Sequence, residues 1–141
     1  MAAARALYGG ARMSAQRARI AEAVLGMPGA FTAEDLHREV IAAAPGIGLA
    51  TVYRALAAMQ ASGAIATVGD RRGSALLVRC ERHDHHHHLV CTRCGGVVGI
   101  ECPLGDAALA SAERAGHLVT RHEITLYGLC AGCRARGEGD A

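Results

Sequence analysis

Apolar residues recur at helical spacing three times in the first sixty positions. Ile20, Ala23, Val24 and Met27 mark one face of a helix expected from about Ala15 to Met27, capped by Ser14 and stopped by Pro28-Gly29. Leu36, Val40, Ile41 and Ala44 mark a second, which opens on Thr32-Ala33-Glu34-Asp35, a capping-box pattern with Asp in place of the commoner Glu. After the break at Pro45-Gly46-Ile47-Gly48, Val52, Leu56 and Met59 mark a third, from Leu49 to about Ser62, ended by Gly63. Thr51, Tyr53 and Arg54 fall off that apolar stripe, near its start. The pattern then shortens to two strands, Ile65–Val68 and Ala75–Cys80, joined by the Gly-bounded turn Gly69-Asp70-Arg71-Arg72-Gly73. Residues 1–12 show no clear period and are expected to form a mobile arm.

A second set of elements follows Glu81-Arg82. Leu89–Cys91 reads as a strand, Cys94-Gly95-Gly96 as a tight metal-knuckle turn and Val97–Glu101 as a second strand. Pro103-Leu104-Gly105 introduces a helix from about Asp106 to Ala115, closed by Gly116. Leu118–Leu129 reads as a third strand with poor in/out alternation, and a polar tail begins at Arg134. The expected fold is α+β: three helices with a β-hairpin over residues 1–82, then a small α/β domain over 83–136 with a three-stranded antiparallel sheet, then a tail, 137–141. Three helices and a hairpin make a winged helix-turn-helix, whose third helix enters a DNA major groove. A plain three-helix core with surface arginines is the alternative.

Composition sharpens the contrast between the halves. The chain has no Trp, one Phe and three Tyr in 141 residues, so its large apolar side chains are few and a small domain gains from a metal staple. All fifteen basic residues are Arg. Residues 1–82 hold ten Arg against six acids, and residues 83–141 hold five against seven. The basic half points to a nucleic-acid partner. No apolar run approaches transmembrane length and no signal-peptide core follows the start, so a cytoplasmic protein without a membrane partner is expected. In that compartment six cysteines point to metal ligands or free thiols rather than structural disulfides.

The candidate chemistry is concentrated between His83 and Cys94, which hold five of the eight His and two of the six Cys. Cys91-x-x-Cys94 and Cys130-x-x-Cys133, 35 residues apart, suit a closed tetrahedral thiolate shell, hence a structural zinc. Redox cysteines are the competing reading. Along an extended run side chains alternate, so His86 and His88 share one face and His85 and His87 the other. Cys80 with His86 and His88 makes a zinc half-shell lacking a fourth ligand. His85 and His87 can join His122 and a carboxylate, Asp106 or Glu101, in a further site. A solvated polar face competes with each of these two sets.

The ordered blocks Ala15-Gln16-Arg17, Thr32-Ala33-Glu34-Asp35-Leu36, Gly48-Leu49-Ala50-Thr51-Val52-Tyr53-Arg54-Ala55-Leu56, the His-rich run into Cys91-x-x-Cys94, and Tyr127-Gly128-Leu129-Cys130 resemble the ferric uptake regulator family over nearly the whole chain after its first dozen residues. The resemblance implies a homodimeric, metal-activated repressor that binds double-stranded operator DNA, with an N-terminal winged helix and an α/β dimerisation domain. It puts Tyr53 and Arg54 on the recognition helix, next to Thr51, and Arg17 against the DNA backbone. Cys80, eleven residues before Cys91, looks like the zinc-sensing branch, which places a thiolate in the hinge site where iron-sensing relatives tend to have a carboxylate. A soft ligand favours zinc over ferrous iron, which stays as the alternative metal. The peroxide- and nickel-sensing branches use a His just before the second helix, where this chain has Ala30-Phe31.

Two departures from that pattern stand out. The zinc-sensing relatives carry an Asp on the first wing strand as fourth hinge ligand, and the aligned residue here is Ala66; Asp70, His83, a water or a neighbouring side chain is left to complete the shell. A one-residue deletion between Cys94 and His122 leaves Asp106, the favoured carboxylate, competing with Glu101, and matches Cys102 to no site. Two other functions are weighed against the regulator. A zinc enzyme lacks support, because there is no His-Glu-x-x-His helix. A zinc-storage or chaperone protein explains the histidine run but leaves the basic N-terminal half unexplained.

Overall fold

A computed structural model describes residues 1–81 and 85–137, with Asp106 described through its backbone alone. His83 and residues 138–141, part of the expected tail, lie outside the described residues. The chain divides into two compact units, Met1–His83 and Asp84–Ala141.

In the first unit α1 (Ala2–Leu7), α2 (Ala15–Gly26), α3 (Ala33–Ala43) and α4 (Leu49–Ala61) precede a hairpin of β1 (Ile65–Arg71) and β2 (Ser74–Arg79). Helix α2 starts where Ser14 Oγ accepts the Arg17 N–H. The capping box at α3 is complete: the Asp35 N–H donates to Thr32 Oγ1 at 3.1 Å and the Thr32 N–H to Asp35 Oδ2 at 2.9 Å. Shorter by one carbon than Glu, Asp35 still closes the box. Ile20, Val24, Leu36, Val40, Val52, Leu56 and Met59 face one core with Phe31. Those are the positions the helical period marks, except that Ile41 is exposed and Ala23, Met27 and Ala44 pack at the edge of the core.

The hairpin is closed by Arg72 and Gly73 alone, since Arg71 pairs with Ser74. Both have positive φ, 52° and 85°, the condition of a type I′ turn, so the strands run longer than the expected five-residue loop allows. Phe31 exchanges two backbone hydrogen bonds with Leu77 and ties the start of α3 to the wing. The expectation of a mobile N-terminal arm is overturned. Residues 2–7 are helical, and Ala4, Leu7 and Tyr8 are buried in the core. Alanine is the best helix former, and positions 4, 7 and 8 are one helical face. Gly9, at φ 62°, lets the chain leave that helix against Ser62, whose hydroxyl donates to the Leu7 carbonyl at 2.7 Å.

The second unit holds β3 (His87–Cys91), β4 (Val97–Ile100), α5 (Asp106–Arg114), β5 (Thr125–Gly128) and α6 (Ala131–Ala135). Its sheet has three strands in the order β4-β3-β5. The expected all-antiparallel pairing is corrected: β3 pairs antiparallel with β4 but parallel with β5. The knuckle turn reverses the chain once, and the α5 connection carries it across to the far side of β3. The third strand is also shorter than Leu118–Leu129. Leu118 is 82% exposed, and regular pairing begins only at Thr125. The residues from Arg134 belong in part to α6 rather than to a tail.

Candidate metal centres and nucleic-acid surface

The knuckle turn brings the first cysteine pair together. The Gly95 N–H donates to the Cys91 carbonyl and the Cys91 N–H to the Gly96 carbonyl, both at 2.9 Å. Gly95 sits at φ 72°, where other residues are strained, and a Cβ on Gly96 would crowd Cys94 Sγ at 3.2 Å. The second pair opens α6, where the Cys133 N–H donates to Cys130 Sγ at 3.4 Å. The four sulfurs lie within 4.8 Å of one another, and Cys94 and Cys130 are 3.8 Å apart. A zinc–sulfur bond of about 2.3 Å gives a tetrahedral sulfur–sulfur edge of about 3.8 Å, so the donor set fits that ion. All four are free thiols at separations no disulfide has.

Charge points the same way. The Cys91 thiol is held down to about 5, first by the backbone N–H groups of Cys94 and Cys130. The backbone N–H of Cys133 lowers Cys130 too, whereas burial pushes Cys133 up to about 11. Four crowded sulfurs cannot all ionise without a cation among them. Arg136 donates to Cys133 Sγ at 2.9 Å and relieves part of that charge.

The opposite end of β3 carries imidazoles. The alternation expected for the histidine run is present: His85 and His87 have ring centroids 4.7 Å apart, and His86 and His88 4.9 Å. His85 Nε2 lies 3.0 Å from His122 Nε2 and 3.2 Å from His87 Nε2. The Ile124 N–H donates to His87 Nδ1 at 3.1 Å, so neutral His87 carries its proton on Nε2. Burial, then the neighbouring imidazoles, hold His87 below the ordinary histidine range. His88 is lowered by burial and by His86 and His87.

The residue that joins this group is Cys102, which the sequence reading matched to no site. Its Sγ is 3.2 Å from His122 Nε2, and the donor atoms of His85, His87, Cys102 and His122 all lie within 4.8 Å of one another. The sheet register accounts for its place. The pairing of His87 with Ile100, continued by two residues, sets His85 opposite Cys102. The pairing of His88 with Thr125, continued back by three, sets His85 opposite His122. One row across the sheet thus collects all three. Glu101 is exposed beside that row, and the Asp106 side chain lies outside the described residues.

Cys80 belongs to the first unit. It follows β2, its N–H donates to the Ala64 carbonyl at 2.8 Å, and burial raises its thiol. Ala66 pairs with Val78 on the same hairpin. Asp70, an alternative fourth ligand, instead accepts the Gly73 N–H at the wing turn, at 3.1 Å.

On the same unit, Arg17, Thr51 and Arg54 line one shallow depression with Ser14, Gln16 and Ile20, between the starts of α2 and α4. Arg54 donates to Thr51 Oγ1 at 3.0 Å, and Arg17 donates to the Arg12 carbonyl and stacks over the Tyr8 ring at 5.0 Å. Tyr53, 49% exposed, lies off this depression and donates to Glu34 Oε1 at 2.9 Å. On the wing, Arg71 is paired with Asp35 at 3.0 Å, and exposed Arg72 sits at the turn.

The family model described as the ferric uptake regulator family matches residues 8–127. The chain belongs to the ferric uptake regulator family. It is a metal-responsive transcriptional regulator and not an enzyme. It is 35% identical over 127 residues to the zinc uptake regulation protein of Mycobacterium tuberculosis, covering 89% of this chain and 97% of that protein. It is 32% identical over 109 residues to the ferric uptake regulation protein of Neisseria meningitidis, covering 77% of this chain and 75% of that one. Among solved structures, a zinc uptake regulator complexed with zinc and DNA matches with a TM-score of 0.76 at 27% identity, over 89% of this chain and 85% of that one. Among the described residues no helix is long and apolar enough to cross a membrane.

Proposed function

We propose that the chain is a zinc-responsive repressor that acts in the cytoplasm as a homodimer on operator DNA of metal-uptake genes. The observation that carries the reading is the likeness to zinc uptake regulators along nine-tenths of the chain, one of them solved with zinc and DNA. The donor chemistry supports it. Cys91, Cys94, Cys130 and Cys133 hold a structural zinc. Cys80, His86 and His88, with five residues between Cys80 and His86, form the regulatory hinge site. A thiolate there favours zinc over ferrous iron. His85, His87 and His122 form a second regulatory site. Arg17, Thr51 and Arg54, gathered in one depression, meet the duplex, and Tyr53 joins them on release from Glu34.

The metal works by fixing the relation of the two recognition helices in the dimer. It shifts that equilibrium only by binding the DNA-competent form more tightly than the other. The test is a titration of a promoter duplex with the purified dimer across buffered free zinc and, separately, anaerobic ferrous iron. Zinc-dependent retardation at lower free metal than iron supports the reading. The reverse order favours the iron-responsive alternative, to which the Neisseria relative is the pointer. Stoichiometric zinc uptake with no duplex binding would make the chain a storage protein.

A further inference from the structure

We propose that Cys102 supplies a thiolate as the fourth ligand of the His85, His87 and His122 site, making a tetrahedral three-histidine, one-cysteine centre for a borderline divalent cation, zinc by preference. This deepens the regulator reading by naming the ligand set of its second site, and its test uses no DNA.

Distances carry the assignment. Zinc–nitrogen bonds of about 2.0–2.1 Å and a zinc–sulfur bond of about 2.3 Å give tetrahedral edges of about 3.3 Å between nitrogens and about 3.6 Å from nitrogen to sulfur. The observed separations are 3.0 and 3.2 Å between imidazole nitrogens and 3.2 Å from His122 Nε2 to Cys102 Sγ. Those three edges stand slightly inside the shell's, and the other three donor separations are within 4.8 Å. The four donors lie on or just beyond three adjacent strands, whose register about β3 brings them together. Three neutral imidazoles bring no charge, and a thiolate supplies one negative charge as its proton leaves to solvent on metal binding.

The cost is also visible. For His87 to ligate through Nε2, the proton there must leave and the ring must carry one on Nδ1 instead. The hydrogen bond from the Ile124 N–H is then given up, at the entry to β5. A carboxylate in the fourth position suits harder ions such as manganese and ferrous iron, whereas a thiolate moves the preference to zinc.

The test reads the ligand directly. Full-length dimer with zinc retained in the four-cysteine centre is loaded with Co(II) in a Cys80→Ser background, which removes the other thiolate proposed for an exchangeable site. The expected result is a near-ultraviolet thiolate-to-cobalt charge-transfer band with intense tetrahedral visible bands. Cys102→Ser in that background abolishes the charge-transfer band and weakens cobalt binding by more than about tenfold. Cys102→Asp, which keeps an anionic ligand, retains cobalt without the band. Asp106→Ala and Glu101→Ala retain the band. One zinc per chain in every variant certifies the fold. Absence of the band before Cys102 is changed, its survival in Cys102→Ser, or its loss in Asp106→Ala would each overturn the assignment. Failure of the regulator reading would appear instead in duplex binding, leaving the band in place.

Discussion

The two units of this chain are held by different physics. The first buries a continuous apolar core, with Ile20, Val24, Phe31, Leu36, Val52 and Met59 at most 1% exposed. Among the described residues of the second, those that become buried are His87, His88, Val90, Cys91 and Cys133, four of them metal-ligand types. A cluster of donors sits at each end of β3, thiols from its last residue, Cys91, and imidazoles around its first, His87. Where large apolar side chains are lacking, the proposed cations would do the work of a core and make the stability of that unit a function of free metal. On the proposed reading the first unit needs no metal to keep its shape, whereas the second does.

The largest test of this contrast is to remove the thiolate shell. Cys91→Ser or Cys133→Ser should release one tightly held zinc per chain and unfold the second unit while α1–α4 stay folded, because structural zinc contributes on the order of 10 kcal/mol of apparent folding free energy. Metal analysis with residue-resolved hydrogen exchange checks it, and a zinc-replete, fully protected second unit in both variants would break the contrast. The complementary change is Leu36→Ala, expected to cost about 2–5 kcal/mol in the first unit. Denaturant unfolding should register that loss with metal content unaltered.

Smaller effects sharpen the picture within the first unit. Arg54→Ala should weaken operator binding by about 1–3 kcal/mol if it reads a base bidentately, with both metal loading and melting preserved. Equal affinity of variant and parent on a natural operator would remove α4 as the reader. Thr32→Ala opens the capping box and should lower stability by about 1 kcal/mol, read as a shift in the denaturation midpoint.

The same difference explains what could be read from the chain. The three helices that build the core were legible because apolar spacing and caps agreed, down to Asp35 standing in for Glu. The first helix was obscured by an Ala-, Gly- and Arg-rich composition in which only Ala4, Leu7 and Tyr8 carry the face. In the second unit periodicity had little to work on, so the parallel pairing of β5, the short α6 and the true length of the third strand were missed. Ligand types compensated: the Cys-x-x-Cys pairs and the alternation of His85–His88 are chemical signals that survive without an apolar pattern. Cys102 was missed because its place depends on register, which a chain with weak strands does not announce.

The proposed function assigns the switch to Cys80, His86 and His88. Cys80→Ser preserves side-chain shape but exchanges a soft thiolate for a poor hydroxyl ligand, and measuring the free zinc concentration at half-maximal operator binding isolates that exchange. The account predicts a folded dimer that keeps its four-cysteine zinc yet requires free zinc higher by more than about tenfold, as the His86→Ala/His88→Ala double variant should, whereas His85→Ala/His87→Ala only tunes the response. Half-maximal binding of Cys80→Ser at the same free zinc as the parent protein would contradict it and move the sensing site to the imidazoles of His85, His87 and His122.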